Sequence, residues 1–340
     1  MQPCQVIEDV NAHKLLKEIA PANRPAVFRG LAKNWPAVVS GLRSAQDLAQ
    51  YIKRFSTTVP VDYLIAEPEV RGEFFFGETL KSRNFRKEQS YIDDILDRLL
   101  ALAEHSSPPS LFVQSLSAND TLPGFSAENS IPWLPPQVPP HAWIGNGARV
   151  QTHFDLADNI AVVVAGRRRF TLFPPEQLTN LYVGPFHETL AGVPVSIADI
   201  EAPDLERFPL LAQALACAEI ADLEPGDALF IPYGWWHHVR STGYLAMLVN
   251  FWWNDGPPHL KDPWGTLYLA MLTVRDLPER YRKVWQNLFS HYVFKADGEP
   301  GAYLNPDDRG LMRAFIPSDF YRAMDKIVRD LAQHVLRKTL

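Results

Sequence analysis

The sequence has little cysteine, no long apolar run and no excess of positive charge, and each shortage narrows the reading. Two cysteines, Cys4 and Cys217, in 340 residues cannot build a disulfide framework or a thiolate zinc site. Each is expected as a small apolar filler or a bystander. No stretch approaches the roughly 18 consecutive apolar residues that cross a bilayer, so no membrane association is expected. Met1 to Val10 lacks a basic stretch leading into an apolar one. No signal peptide is read there, and the expected compartment is the cytoplasm. Lys and Arg number 33 against 39 Asp and Glu, a net charge of −6. With no broad basic surface for phosphates, nucleic acid is a less favoured partner than a protein or a small molecule.

What is present suits a large core. Hydrophobic residues make up 46% and charged residues 21% of the chain, an ordinary globular balance. The 29 prolines and the 11% aromatic content suggest many turns and a β-rich middle.

The opening third alternates helix and strand signals. Pro25 to Gly30 reads as a strand closed by glycine, and Val59 to Ile65 as another. Ser44 is an expected N-cap for a helix through Phe55, with Leu48 and Ile52 on one face. Ser90-Tyr-Ile-Asp93 has the form of a capping box opening a helix through Glu104. Residues 117–141, rich in Pro, Ser and Asn, read as a long loop, of a length uncommon without a task such as covering a site. From there the period becomes that of strands: His141 to Asn146, Val150 to Phe154, Ile160 to Val164, Arg168 to Phe173, Ala228 to Pro232 and Tyr244 to Trp253. Pro174-Pro-Glu176 opens a short helix, residues 186–209 read as loop, and Leu210 to Ala218 as helix. The tail from Leu260 is helical. Phe320, Met324, Ile327, Val328, Leu331 and Val335 form an amphipathic stripe in it, suited to packing on the chain's own core or to a dimer contact.

Two short signals carry chemistry. In His153-Phe-Asp155 the residues i and i+2 of an extended chain point to one side, so an imidazole and a carboxylate can meet one ion while Phe154 faces away. That pair is part of the ligand set that suits non-haem Fe(II). Some 80 residues on, a Pro-Gly-Asp turn and an apolar strand lead into Trp235-Trp-His-His238. This is where a third ligand from an opposing strand belongs. Strand neighbours face opposite ways, so one of His237 and His238 is the ligand; spacing leaves open which.

With these residues the sequence resembles the cupin-like branch of the Jumonji-C (JmjC) oxygenases, which includes the asparaginyl hydroxylase of hypoxia-inducible factor and the tRNA wybutosine hydroxylases. The resemblance rests on His153-Phe-Asp155, Asn159, Gly166 to Pro175, Pro225 to Pro232, Trp235 to His238 and Val249 to Trp252. It covers residues of about 140–253 closely and the N-terminal part loosely. It implies His237 as the third metal ligand, with His238 behind it or at the surface. It implies Arg168 as the partner of the distal carboxylate of 2-oxoglutarate. Alternation agrees, placing Arg168 on the face of Phe170 and Leu172, where a charge needs a partner. Relatives commonly carry Lys here; Arg grips a carboxylate with two prongs. Asn159, Asn250, Gln114 and Trp252 are implied as further residues of the cosubstrate pocket. Phe112 and Val150 stand where relatives carry hydrogen-bonding side chains, which Phe and Val cannot replace.

The expected architecture is a double-stranded β-helix, a cupin or jelly-roll core over 117–256. Residues 1–116 form an α/β extension packed on it, and 257–340 a helical segment through which a homodimer is expected. The expected function is an Fe(II)- and 2-oxoglutarate-dependent dioxygenase, a hydroxylase using O2 on a protein side chain or small molecule. The alternatives are a metal-binding cupin enzyme that does not use 2-oxoglutarate and a non-catalytic scaffold.

Overall fold

The computed structural model describes residues 1–186, 193–256, 263–312 and 329. The chain divides into two compact units, Met1–Asp255 and Gly256–Leu340. The second contains helices Pro263–Thr273 and Glu279–Leu288. The apolar stripe from Phe320 to Val335 lies outside the described residues. None of the described helices is long and apolar enough to cross a membrane.

The first unit is built on strands β1 (Gln2–Pro3), β2 (Gln5–Val6), β3 (Ala26–Phe28), β4 (Val61–Ala66), β5 (Arg86–Ser90), β6 (Ser110–Ser117), β7 (Pro140–Gly145), β8 (Arg149–Phe154), β9 (Asp158–Phe173), β10 (Glu219–Leu223), β11 (Ala228–Ile231) and β12 (Trp236–Trp253). Two long antiparallel strands organise it, β9 and β12, which pair from Trp236↔Phe173 to Trp253↔Asp158. The first half of β9 pairs with β11 and the second half with β10. The first half of β12 pairs with β8 and the second half with β7. Each long strand therefore passes from one sheet into another. The larger runs β2-β3-β11-β9-β12-β7-β6-β4-β5, and the smaller continues β1-β10-β9-β12-β8.

The change of sheet falls at Gly166 and Gly243, with φ of +71° and +114°. A Cβ on Gly166 would stand 2.4 Å from the Thr242 carbonyl oxygen, so only glycine lets the two strands approach there. The two separate strands expected at Ile160–Val164 and Arg168–Phe173 are thus one strand bent at Gly166.

The sheets face each other across one buried cluster. Ala161, Val163, Ile231 and Leu248 come from the larger sheet, Phe170, Leu172, Leu223 and Val239 from the smaller. This is the expected jelly-roll core. On the outer face of the larger sheet, Ile160, Val162, Val164, Phe230 and Val249 meet Val38, Leu48, Ile52 and Ile95. These come from helices Pro36–Arg43, Ala45–Lys53 and Ile92–Leu102. With both faces of β9 covered, the run Ile160 to Ala165 has no reason to alternate. Phe173 and Trp236 cover the smaller sheet's outer face with Phe208, Leu211 and Ala214.

Three local readings change. Ser44 caps its helix as expected, accepting the Asp47 N–H at 3.0 Å. Ser90 does not: its backbone is committed to the β4–β5 ladder opposite Val61, and the helix begins after Tyr91, which makes no side-chain cap. The segment 117–141 is not all loop. It contains one-turn helices Ala118–Thr121 and Phe125–Glu128, pinned by buried Leu122 and Phe125. Strands β5 and β10 were not expected from the sequence.

Candidate metal centre

Strands β8 and β12 bring His153 and His237 directly opposite each other. Phe154 points to the outer face and packs edge-on against Trp236 at 4.6 Å, which leaves His153 and Asp155 together on the inner face. The Asp155 carbonyl accepts the Gly234 N–H at 2.9 Å, tying the end of β8 to the turn that starts β12. One ligand atom from each of His153, Asp155 and His237 lies within 4.8 Å of the other two. The imidazole centroids are 4.3 Å apart, and His237 Nε2 is 3.8 Å from Asp155 Oδ2.

The protonation pattern suits a cation. His153 Nδ1 lies 2.7 Å from the Gln151 carbonyl oxygen and His237 Nδ1 3.1 Å from that of Trp235. A carbonyl only accepts, so each Nδ1 carries a hydrogen and Nε2 is the ring nitrogen left to face a metal. Burial holds the His237 imidazole down at about 4, with nearby His153 adding to the effect and Asp155 opposing it. The ring is therefore neutral at neutral pH, the form a metal binds. Two imidazoles, each oriented by a backbone carbonyl, and one carboxylate fit a divalent first-row metal. His238 alternates to the far side of β12. It is buried, not at the surface, and its Nε2 has no partner among the described residues. Burial, then the Arg149 charge, lowers it to about 4.

The triad lies on the wall of a cavity of about 160 Å³ between the two sheets. Arg168 lines the same cavity, with Phe170, Ile231, Val239 and Leu248 as apolar wall. Arg168 is 3% exposed and forms no hydrogen bond or ion pair with the described residues; its Nε is buried without a partner. Burial pushes its guanidinium down to about 9. Its neighbours point outward and are paired, Arg167 with Glu224 at 3.1 Å and Arg169 with Asp222 at 2.6 Å.

Asn159 and Asn250 also line the cavity, and Asn250 Nδ2 donates to Asn159 Oδ1 at 2.7 Å. Asn250 Oδ1 is left buried and unpartnered. Trp252 donates its indole N–H to Asp155 Oδ2 at 3.1 Å. Phe112 and Val150 line the wall and carry no hydrogen-bonding group. Gln114 is placed elsewhere. A bulge in the β6–β7 ladder between Val113 and Leu116 turns it toward a small adjoining cavity that shares Val150 and His153 with the first. Two lining residues with hydrogen-bonding groups escaped the sequence reading. Trp143 has a buried indole N–H without a partner among the described residues; its place on the inward face of β7 was readable from alternation. Ser115 faces the cavity because of the bulge, for which the sequence carries no signal.

Comparison with known proteins bears on the fold. Residues 12–259 match the family of cupin-like domains, and the chain belongs to that family. It is similar to the tRNA wybutosine-synthesizing protein 5 of Gallus gallus, 33% identical over 151 residues, which are 40% of this chain and 44% of that protein. It is 34% identical over 137 residues to the lysine-specific demethylase JMJ31 of Arabidopsis thaliana, covering 38% of this chain and 24% of the relative. It is 36% identical over 152 residues to the human HSPB1-associated protein 1, covering 43% and 30%. The chain thus spans less than half the length of each of these relatives.

Proposed function

We propose that this protein is an Fe(II)- and 2-oxoglutarate-dependent oxygenase, a hydroxylase of a protein side chain or a small molecule. The observation that carries the reading is Arg168, a buried guanidinium with no carboxylate partner among the described residues, in the same cavity as the His-Asp-His set. An unpaired buried charge is costly, and the distal carboxylate of a keto-diacid is the partner that cost anticipates. The motif likeness to the asparaginyl hydroxylase of hypoxia-inducible factor supports a hydroxylase. Two relatives named for modification chemistry, a wybutosine-synthesizing protein and a lysine-specific demethylase, support catalysis over a scaffold.

His153, Asp155 and His237 would hold the metal. When bound, iron(II) supplies the redox chemistry toward O2 that side chains lack. The protein's part is positioning. The carbonyls of Gln151 and Trp235 fix both imidazole tautomers. Arg168 would grip the distal carboxylate in two-pronged fashion. The buried Asn250 amide oxygen offers an acceptor to a donor on a ligand or on a water held with it. Phe170, Ile231, Val239 and Leu248 give the cavity an apolar wall, which would strengthen charge interactions beside it. Overall, 2-oxoglutarate, O2 and substrate would give succinate, CO2 and hydroxylated substrate.

The test is to supply the purified chain with Fe(II), O2 and 2-oxoglutarate and follow succinate by NMR. Wild type is expected to bind 2-oxoglutarate and form succinate slowly even without the hydroxylation substrate. A protein with both His153→Ala and Asp155→Ala is expected to do neither. Iron bound without either event would point to a cupin that does not use 2-oxoglutarate.

A further inference from the structure

We infer that Trp252 is a positioning residue for the metal centre: its indole N–H holds the Asp155 carboxylate turned toward the two histidines. The inference rests on the metal-binding reading above and adds to it what sets the third ligand's orientation. Both histidines are oriented by backbone carbonyls of their own strands. Asp155 has no such support. It follows the last residue of β8, and a carboxylate turns freely about its last bond unless a donor holds it. Among the described residues, the carboxylate's one hydrogen bond is that from Trp252 Nε1 to Oδ2 at 3.1 Å. The same oxygen lies 3.8 Å from His237 Nε2, so the donor fixes the edge of the carboxylate that faces the histidines.

The indole is itself held. Trp252 pairs with Asn159 across the β9–β12 ladder. Its ring packs edge-on against Trp143 at 6.0 Å and against His141 at 5.3 Å. The His141 ring is in turn bonded to Ser115 Oγ at 3.2 Å. Ser115 occupies the left-handed region at φ +49° within the β6–β7 bulge, an unfavourable conformation for a side chain larger than glycine. The bulge thus puts its hydroxyl where it braces His141, and through it the indole. Donors behind metal ligands typically account for 10- to 100-fold of metal affinity.

The experiment compares wild type, Trp252→Phe and Trp252→Leu, titrated with Co(II) by calorimetry and by visible absorption, with the melting temperature of each metal-free protein. Phe keeps a ring and removes the N–H; Leu removes both. The expected result is a Kd raised about 10- to 100-fold in both variants, with an altered Co(II) spectrum. Trp252→Phe should melt near wild type when metal-free and gain less on Co(II) addition. Wild-type affinity and spectrum in Trp252→Phe, with loss confined to Trp252→Leu, would overturn the inference and leave the indole a packing role. Absence of Co(II) binding in wild type would instead overturn the metal reading itself.

Discussion

Replacing Arg168 by Met should make the ligand-free protein more stable and weaken its affinity for 2-oxoglutarate by one to four orders of magnitude, about 30- to 5000-fold. Methionine keeps much of the aliphatic stem's volume and removes the charge. Burial lowers the guanidinium from 12.5 to about 9. At about 1.4 kcal/mol per pKa unit, that places the cost of keeping the charge buried on the order of 5 kcal/mol. Part of this is recovered when an apolar side chain fills the site, by analogy with buried ionic groups whose apolar replacement stabilises by about 1–4 kcal/mol. In a unit of this size each kcal/mol raises Tm by about 2–4 °C. Against that stands the lost partner of a buried carboxylate, about 2–5 kcal/mol, or roughly 30- to 5000-fold in Kd. Thermal melts of metal-loaded wild type and Arg168→Met, with and without 2-oxoglutarate, read both effects. The expected pattern is a higher baseline Tm in the variant and a ligand-induced rise much smaller than in wild type. A variant that melts lower without ligand and keeps the wild-type rise would refute the reasoning and make Arg168 a structural residue.

Two further outcomes follow from the same geometry. His237 and His238 are both lowered to about 4 from 6.5. The unfolded chain therefore holds more protons than the fold between those values, and stability falls as pH drops from about 6.5 toward 4. The slope for two such groups approaches about 2.7 kcal/mol per pH unit, checked by urea unfolding of the metal-free protein across that range; equal midpoints at pH 6.5 and 4.5 would contradict it. Gly166→Ala places a Cβ 2.4 Å from the Thr242 carbonyl at a positive φ and should cost at least about 2 kcal/mol. It should show as a depressed Tm, and an unchanged Tm would mean that the two long strands cross elsewhere.

The parts of the site that were legible are those fixed by local geometry. The two-residue spacing of His153 and Asp155 put both on one face, and alternation turned Arg168 inward while Arg167 and Arg169 went outward. Neither of two adjacent histidines could be chosen by spacing, since both precede an apolar strand; the ladder opposite His153 makes His237 the inward one. Features set by distant chain were not legible. Gly166 punctuates the sequence like a strand end, yet β12 pairs with β9 on both sides of it, the register shifting between Thr242 and Met247. Strand β5, Arg-Lys-Glu-Gln-Ser, has no apolar period because it is an exposed edge. It is held by the β4 ladder and by pairs such as Lys87 with Asp62. The bulge that turns Gln114 away and Ser115 inward is a property of the β6–β7 pairing, not of either segment alone.

In the proposed function one cavity would hold Fe(II) on His153, Asp155 and His237, and 2-oxoglutarate between that metal and Arg168. The most direct measurement is an anaerobic titration of Fe(II)-loaded protein with 2-oxoglutarate, followed by visible absorption. Wild type is expected to develop a weak metal-to-ligand charge-transfer band that saturates with one equivalent. That band should be absent from the variant carrying both His153→Ala and Asp155→Ala. Iron bound at one equivalent with no band and no affinity for 2-oxoglutarate would contradict the proposed function.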